Sequence, residues 1–415
     1  MTTILKDKRI VLGVSGGIAA YKSVELAREL TLAGAQVDVV MTRAAREFVG
    51  PLTFETLTRR PVRTEVFEQW TEAESGHVSL GERADVMVIA PATAHVIAKL
   101  AHGLADDMLS VTALATPAPI IVAPAMDYHM YQHPATQANL QTLADRGVRI
   151  VGPDDGPLAS GLVGPGRLVT TARLMDAIRA TLGANGPLAG VRVVVTAGPT
   201  REPLDPLRFL SNRSSGKMGY ALVAAAIDAG ASVTLITGPT ALTPHGEASV
   251  IRVETAAEMA DAVQAAVQDA DVLIMTAAVA DYRPSSVAEH KIKKSSDDLT
   301  LNLTRTTDIL ASIDRPGLLK VGFAAETTSL LDYARDKLRS KHLDLIVAND
   351  ARTSMGSDEG WAYLLQPGQD AEEVGPTSKA ELAAVIIDRV ASLLRSHPAA
   401  DAAPAPAPPE GSASA

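Results

Sequence analysis

Short runs in which nearly every position is apolar or β-branched recur along this chain, and amphipathic stretches separate them. In the first half the runs are RIVLGVS (Arg9 to Ser15), QVDVVMT (Gln36 to Thr42), DVMVIAPATA (Asp85 to Ala94) and PIIVAPAMD (Pro119 to Asp127). In the second half they are VRVVV (Val191 to Val195), ASVTLITGPT (Ala231 to Thr240), DVLIMTAAVADYRP (Asp271 to Pro284) and LKVGFAAET (Leu319 to Thr327). A strand without polar alternation is one covered on both faces, which is the habit of parallel sheets. Ile18 to Ala33, Ala221 to Ala229 and Ala256 to Gln268 read instead as helices. Strand, helix, strand in this order predicts an α/β protein with two Rossmann-like, doubly wound parallel-sheet domains.

Composition sets the boundaries. Gly183 to Gly190 (GANGPLAG) has linker composition, and His397 to Ala415 is Ala, Pro and Ser with almost nothing to bury, which predicts a disordered tail. The expected domains are therefore residues 1–185 and 186–396, with a tail at 397–415. A net charge of −10 excludes general nucleic-acid binding, and no apolar run is long enough to span a membrane. With 0 cysteines there are no disulfides, thiolate metal sites or cysteine nucleophiles, and the polar N-terminus lacks a signal-peptide pattern; a cytoplasmic protein is expected.

Two loops carry candidate chemistry. After the first strand, Gly13, Gly16 and Gly17 miss the spacing of a dinucleotide fingerprint, and the second strand ends in Thr42 rather than an acid. Ser15, the Gly16 and Gly17 amides and Thr42 better suit one terminal phosphate, as in a flavin mononucleotide. Ala90 to Thr93 and Ala125 to Asp127 end two further strands and are expected to line one crevice. In the second block, TAGPTREPLDPLRFLSNRSSGKMG (Thr196 to Gly219) runs from a strand to a helix start. Its Ser214, Ser215, Gly216 and Lys217 offer amides and a helix dipole to an anion, and Arg201, Arg208, Arg213 and Lys217 share the one connection. It is not a P-loop, because Ser211 and Met218 stand where glycine and a hydroxyl are required.

Taken whole, this stretch closely resembles the phosphopantothenate-cysteine ligase half of bifunctional coenzyme A biosynthesis enzymes, in which TAGPTREPLDP, Ser211-Asn212 and SSGKMG occur in this order. EHKIKKSS (Glu289 to Ser296), GFAAET and YARDKLRSKHLDLIVAND (Tyr333 to Asp350) extend the likeness. The resemblance implies that Asp281 holds a ribose and that Thr307, Asp308, Ile309, Leu310 and Phe323 frame the cytosine of CTP. It further implies that Lys291, Lys337 and Lys341 meet phosphates, and that Asn212 and Arg208 position an acyl-cytidylate made from 4'-phosphopantothenate, which L-cysteine then attacks. Mg2+ is implied by the triphosphate, although no carboxylate cluster names its ligands.

The first block resembles the homo-oligomeric, flavin-containing cysteine decarboxylases through GVSGGIAAYK (Gly13 to Lys22), GHVSL (Gly76 to Leu80), APATA and PAMDYHM (Pro124 to Met130). That likeness implies FMN contacts at Ser15, Gly16, Gly17, Thr42, Ala92, Thr93 and Met126, with His77 as the catalytic histidine. Two departures stand out. Asp127 replaces the asparagine usual at a substrate carboxylate, and Ser160, in the flap ASGLVGPGR (Ala159 to Arg167), replaces a proton-donating cysteine. An ionised Asp127 would repel that carboxylate, so either its pKa is raised or it has another partner such as His129 or Arg167. The expectation is an enzyme that ligates and then decarboxylates, built from flavin-domain trimers and ligase-domain dimers, together a dodecamer. The alternatives are a ligase with an impaired decarboxylase, or a regulatory flavoprotein.

Overall fold

The computed structural model describes residues 4–67, 76–294, 299–326, 328–350 and 359–396. The expected tail, 397–415, lies outside the described residues, as do Thr327 and Ser295-Ser296. The chain divides into two compact units, the first comprising Met1–Gly190 with Ala226–Ala231 and Thr243–Ala248, the second the remainder.

In the first unit, β1 (Arg9–Val14), β2 (Gln36–Met41), β3 (Val86–Ala92), β4 (Ile120–Pro124) and β5 (Arg149–Ile150) form a five-stranded sheet in the order β2-β1-β3-β4-β5. Every pairing in it is parallel. Successive residues of one strand enter opposite cores. Ile10, Leu12 and Val14 pack with Leu26, Leu30 and Ile178 on one side, while Val11 joins Met87, Ile97, Leu109 and Leu140 on the other. This explains the unbroken apolar runs, since each strand has a helix layer on both faces. An antiparallel hairpin, β6 (Asp154–Pro157) with β7 (Val163–Arg167), carries the flap sequence.

The second unit holds β8 (Arg192–Ala197), a hairpin of β9 (Arg201–Pro203) and β10 (Phe209–Ser211), then β11 (Ser232–Thr237), β12 (Ser249–Arg252) and β13 (Val272–Met275). A second hairpin of β14 (Tyr282–Pro284) and β15 (Leu303–Arg305) precedes β16 (Leu319–Glu326), β17 (Leu345–Asp350), β18 (Glu359–Leu365) and β19 (Glu372–Ser378). The main sheet has eight strands in the order β12-β11-β8-β13-β16-β17-β18-β19.

Four expectations need correction. The second sheet is mixed, because β18 and β19 pair antiparallel at its edge. The β19 segment, EEVGPTS, has no apolar run, since main-chain pairing rather than two-sided burial holds an edge strand. The run from Asp271 to Pro284 is not one strand. It leaves the sheet after Met275, and its alanines pack in a loop, with Ala280 buried. The helix expected from Ala221 starts at Lys217. The segment Gly183 to Gly190 is a series of hydrogen-bonded turns in which Leu188 is fully buried, because a lone leucine among glycines still gains by leaving water.

At Gly219 the helix Lys217–Asp228 crosses β8 so closely that a Cβ would lie 2.5 Å from Ala197 Cβ and 2.7 Å from Thr276 Oγ1. Gly219→Ala should therefore overpack this contact and destabilise the protein by about 1–3 kcal/mol. A fall in the thermal unfolding midpoint is the expected reading; an unchanged midpoint would show that helix and strand can part freely.

Candidate active sites

In the second unit the loops after β8, β13 and β16 meet at the C-terminal edge of the sheet, where open α/β sheets place their ligands. Hydroxyls tie these loops together. Thr196 Oγ1 accepts from Ala277 N at 3.1 Å, Thr276 Oγ1 donates to Thr196 O at 2.6 Å, and buried Thr200 Oγ1 accepts from Ala280 N at 3.0 Å. Asn212 Nδ2 spans the same gap, donating to Ala278 O at 3.1 Å and Val279 O at 3.2 Å.

These loops enclose a cavity of about 860 Å³. Its wall includes Asn212, Arg213, the turn Ser214–Gly216 and the start of the helix Lys217–Asp228. It also includes Asp281, Arg305, Thr307, Asp308, Ile309, Leu310, Phe323, Glu326, Lys337 and Lys341. The structure thus brings together Asn212, Asp281, the turn from Thr307 to Leu310, Phe323 and the two lysines, all singled out from sequence.

Those two lysines are differently placed. Lys341 Nζ pairs with the Asp308 carboxylate at 2.7 Å, and Asp308 also accepts from Ala311 N at 3.1 Å, so this acid frames the site as a salt-bridged helix cap. Lys337 Nζ donates to Phe323 O at 2.6 Å. Burial, and then the neighbouring Lys341 charge, push the Lys337 ammonium below the ordinary lysine range. A cation so destabilised gains from an arriving anion.

Arg208 and Lys291 are not among the cavity-lining residues. Arg208 donates from Nη2 and Nε to Asp205 Oδ2 at 2.6 and 2.9 Å and from Nη2 to Ile292 O at 2.6 Å, while Ile292 N donates to Asp205 Oδ2 at 3.1 Å. Arg201 lies over the Phe209 ring, 4.5 Å from its centroid. Arg201 and Arg208 are thus held by structural partners, and Arg213 and Lys217 line the cavity. Sequence reasoning passed over Asp205, which clamps both the Arg208 turn and the segment that carries Lys291. Its place before Pro-Leu-Arg is an Asx-turn signal, with Leu207 N and Arg208 N both bonded to Oδ1. Glu326 was also passed over.

In the first unit, Ser15 is fully buried and joins two loops. Its Oγ donates to Pro91 O at 2.7 Å and accepts from Thr93 N at 3.0 Å. Gly16 admits no side chain, for a Cβ would meet Ala44 Cβ at 2.3 Å. The helix Ala20–Leu32 that follows begins without a side-chain cap, which suits a phosphate at its first amides. Thr42 is buried beside this turn, but its Oγ1 accepts from Ala45 N at 3.2 Å, so it caps the next turn and has only its proton to offer a ligand.

Ala125 N donates to Ala92 O at 3.0 Å, bringing the loops after β3 and β4 into one crevice. Met126 N in turn donates to Gly166 O at 2.9 Å, which seats the flap hairpin over that crevice. Asp127 caps the short helix Tyr128–Gln132 through His129 N at 3.1 Å. The Ser160 hydroxyl beside it, and then the His129 N–H, hold the Asp127 carboxyl below the usual range. Of the two expectations, the structure favours a local partner, the His129 main-chain amide, with Ser160 beside it. One oxygen, Oδ2, is shielded from water without a hydrogen bond of standard geometry. His77 sits half-buried on the helix Gly76–Glu82, which Thr116 Oγ1 anchors by donating to Gly81 O at 2.7 Å. Among the described residues no hydrogen bond joins His77 to the Ser15 loop.

Comparison with known proteins finds a different family in each half of the chain. Residues 2–183 match the Flavoprotein family, and residues 188–394 match the family described as DNA/pantothenate metabolism flavoprotein C-terminal domain. The coenzyme A biosynthesis bifunctional protein CoaBC of Bacillus subtilis (strain 168) is 44% identical over 398 residues, covering 94% of this chain and 98% of that protein. Its counterpart from Escherichia coli (strain K12) is 46% identical over 389 residues, covering 91% and 95%. Among solved structures, the C-terminal domain of a CoaBC protein is 40% identical, covering 51% of this chain and 100% of that one, with a TM-score of 0.46. A mutant PPC decarboxylase complexed with pantothenoylaminoethenethiol is 30% identical, covering 42% and 97%, with a TM-score of 0.39. Matched along nearly its whole length by such relatives, with both domain families in tandem, the chain belongs to the family of coenzyme A biosynthesis bifunctional proteins, CoaBC.

Proposed function

We propose that the second unit joins L-cysteine to 4'-phosphopantothenate using CTP and Mg2+, and that the first removes CO2 from the product with FMN to give 4'-phosphopantetheine. The observation that carries the ligase reading is the cavity where a helix start, Lys217, Lys337 and Lys341 face Asn212 and Asp281. A carboxylate does not acylate an amine until its oxygen can leave with a phosphate. Cytidylate is that leaving group; the CTP that supplies it would set its triphosphate against the helix start and lysines and its ribose against Asp281. Among the described residues no group of three acids or imidazoles forms a metal site, so Mg2+ enters as companion to the triphosphate and is assigned no step. The test is pyrophosphate release that requires both CTP and 4'-phosphopantothenate, followed by CO2 release after cysteine is added.

In the first unit Ser15, Gly16, Gly17 and Thr93 would hold the flavin phosphate, with Ala92 and Met126 beside the ring. Loss of CO2 from an N-acyl cysteine leaves a carbanion with no neighbouring electron sink; bound FMN supplies one by reversible oxidation of the CH2–SH carbon. His77 would accept the thiol proton, a task suited to imidazole near neutral pH. Association of copies through both units, as trimers and dimers, belongs to the same reading. In this reading the segment with Lys291 is held ready by Asp205 rather than built into the cavity wall of one chain.

Lys337→Met should slow pyrophosphate release at limiting CTP about 10- to 100-fold, because one charge-assisted phosphate contact is worth roughly 1.5–3 kcal/mol. The unfolding midpoint without CTP should hold or rise, since a half-buried charge is removed; a lowered midpoint would make Lys337 structural. Asp205, held well below the ordinary carboxylate range chiefly by Arg208, contributes stability above its unfolded pKa and loses it as pH falls toward its folded one. Asp205→Asn should therefore melt earlier than wild type at neutral pH, with the gap narrowing below about pH 4. A gap independent of pH would contradict the ionised clamp.

Serine is a far weaker acid than cysteine, so protonation of the enethiolate should be the slow step in this chain. Mass spectrometry of turnover mixtures should show a species two hydrogens lighter than 4'-phosphopantetheine, diminished in Ser160→Cys. Clean wild-type turnover, unchanged by Ser160→Cys, would place the proton donor elsewhere.

A further inference from the structure

The cavity of the second unit is strongly cationic, as a triphosphate site must be, yet a ligase must also admit an ammonium there. The α-amino group of an amino acid is protonated at neutral pH and cannot attack a carbonyl until it sheds a proton. Cations repel it and offer no base. Among the described residues three acidic side chains line the cavity: Asp281, Asp308 and Glu326. Asp308 is committed to Lys341 and to its helix cap. Asp281 is the residue placed at the ribose.

Glu326 is the last residue of β16, three positions beyond Phe323 on the same strand and thus about 10 Å along it at strand rise. It is half-buried, it lines the cavity, and among the described residues its carboxylate makes no hydrogen bond or ion pair. An acid at the working end of a buried parallel strand, left without a partner in a wall of cations, has no structural task there. Its negative charge is close enough to Lys337 to favour the ammonium form of that lysine.

Resting on the ligase reading, we propose that Glu326 receives the ammonium of the incoming amino acid and serves as its general base. The nitrogen forms a bond to the acyl carbon as the bond from that carbon to the cytidylate oxygen breaks, its electron pair leaving with the phosphate. Of the two protons the ammonium sheds, one passes to the Glu326 carboxylate as the amine is freed. The other leaves the adduct nitrogen for the departing phosphate oxygen.

The test separates the two half-reactions in the full-length protein. Pyrophosphate release from CTP and 4'-phosphopantothenate without cysteine reports the first, and amide formation after cysteine is added reports the second. Glu326→Gln should keep the first within about twofold and slow the second at neutral pH by about 10²- to 10⁴-fold, the usual reach of general-base catalysis. Hydroxylamine, already neutral at that pH, should consume the acyl-cytidylate equally fast in wild type and variant. Glu326→Asp should recover much of the cysteine step with a raised KM for cysteine. The proposal is overturned if the first half-reaction falls together with the second, which would assign Glu326 to nucleotide, metal or folding. It is overturned equally if cysteine and hydroxylamine slow alike, or if neither changes. Wild-type protein that releases no pyrophosphate would instead defeat the ligase reading itself.

Discussion

Burial of every central strand on both faces is the constraint on which the rest of this molecule depends. Because Val11 and Leu12 must each find a separate apolar layer, the central strands of the first sheet offer no polar face on which chemistry could sit. Reactive groups are left to the loops at the C-terminal ends of the strands. Both candidate sites lie there.

Loops that carry chemistry need to be held, and both units solve this with small hydroxyl residues rather than bulk. Buried Ser15 stitches the loop after β1 to the loop after β3. Thr196 and Thr200 stitch the loop after β8 to the loop after β13. A hydroxyl satisfies the main-chain amides of a neighbouring turn while occupying little volume, so backbone from two strands can converge on a ligand. Where even a methyl group would be too large, as at Gly16 and Gly219, glycine completes the approach.

Charge is divided along similar lines. Arg201 and Arg208 are consumed in shaping the β9–β10 hairpin and its neighbour, whereas Arg213, Lys217 and Lys337 face the cavity. The half-buried Lys337 is held at a cost to its own charge, which a polyanion would relieve. In the first unit Asp127 is the converse: it keeps its charge by bonding locally, near the flap that carries Ser160.

Family resemblance singled out the cluster of Asn212, Asp281, Thr307 to Leu310, Lys337 and Lys341, whereas residue pattern alone determined the α/β class, the break between two blocks and the phosphate-friendly turn at Ser15 to Gly17. These were legible because each lies where a continuous apolar run gives way to small or polar residues, a local signal. Pattern could not decide which cations were free, since Arg208 and Arg213 look alike until Asp205 claims one of them. It passed over β19 and misjudged the segment from Asp271 to Pro284, where pairing across the sheet edge and loop packing outweigh local composition. It was silent on Glu326, because an acid ending a strand reads as a solvated terminus. Only the tertiary structure, by folding that strand end among lysines, left it facing a cavity with no hydrogen-bond partner among the described residues.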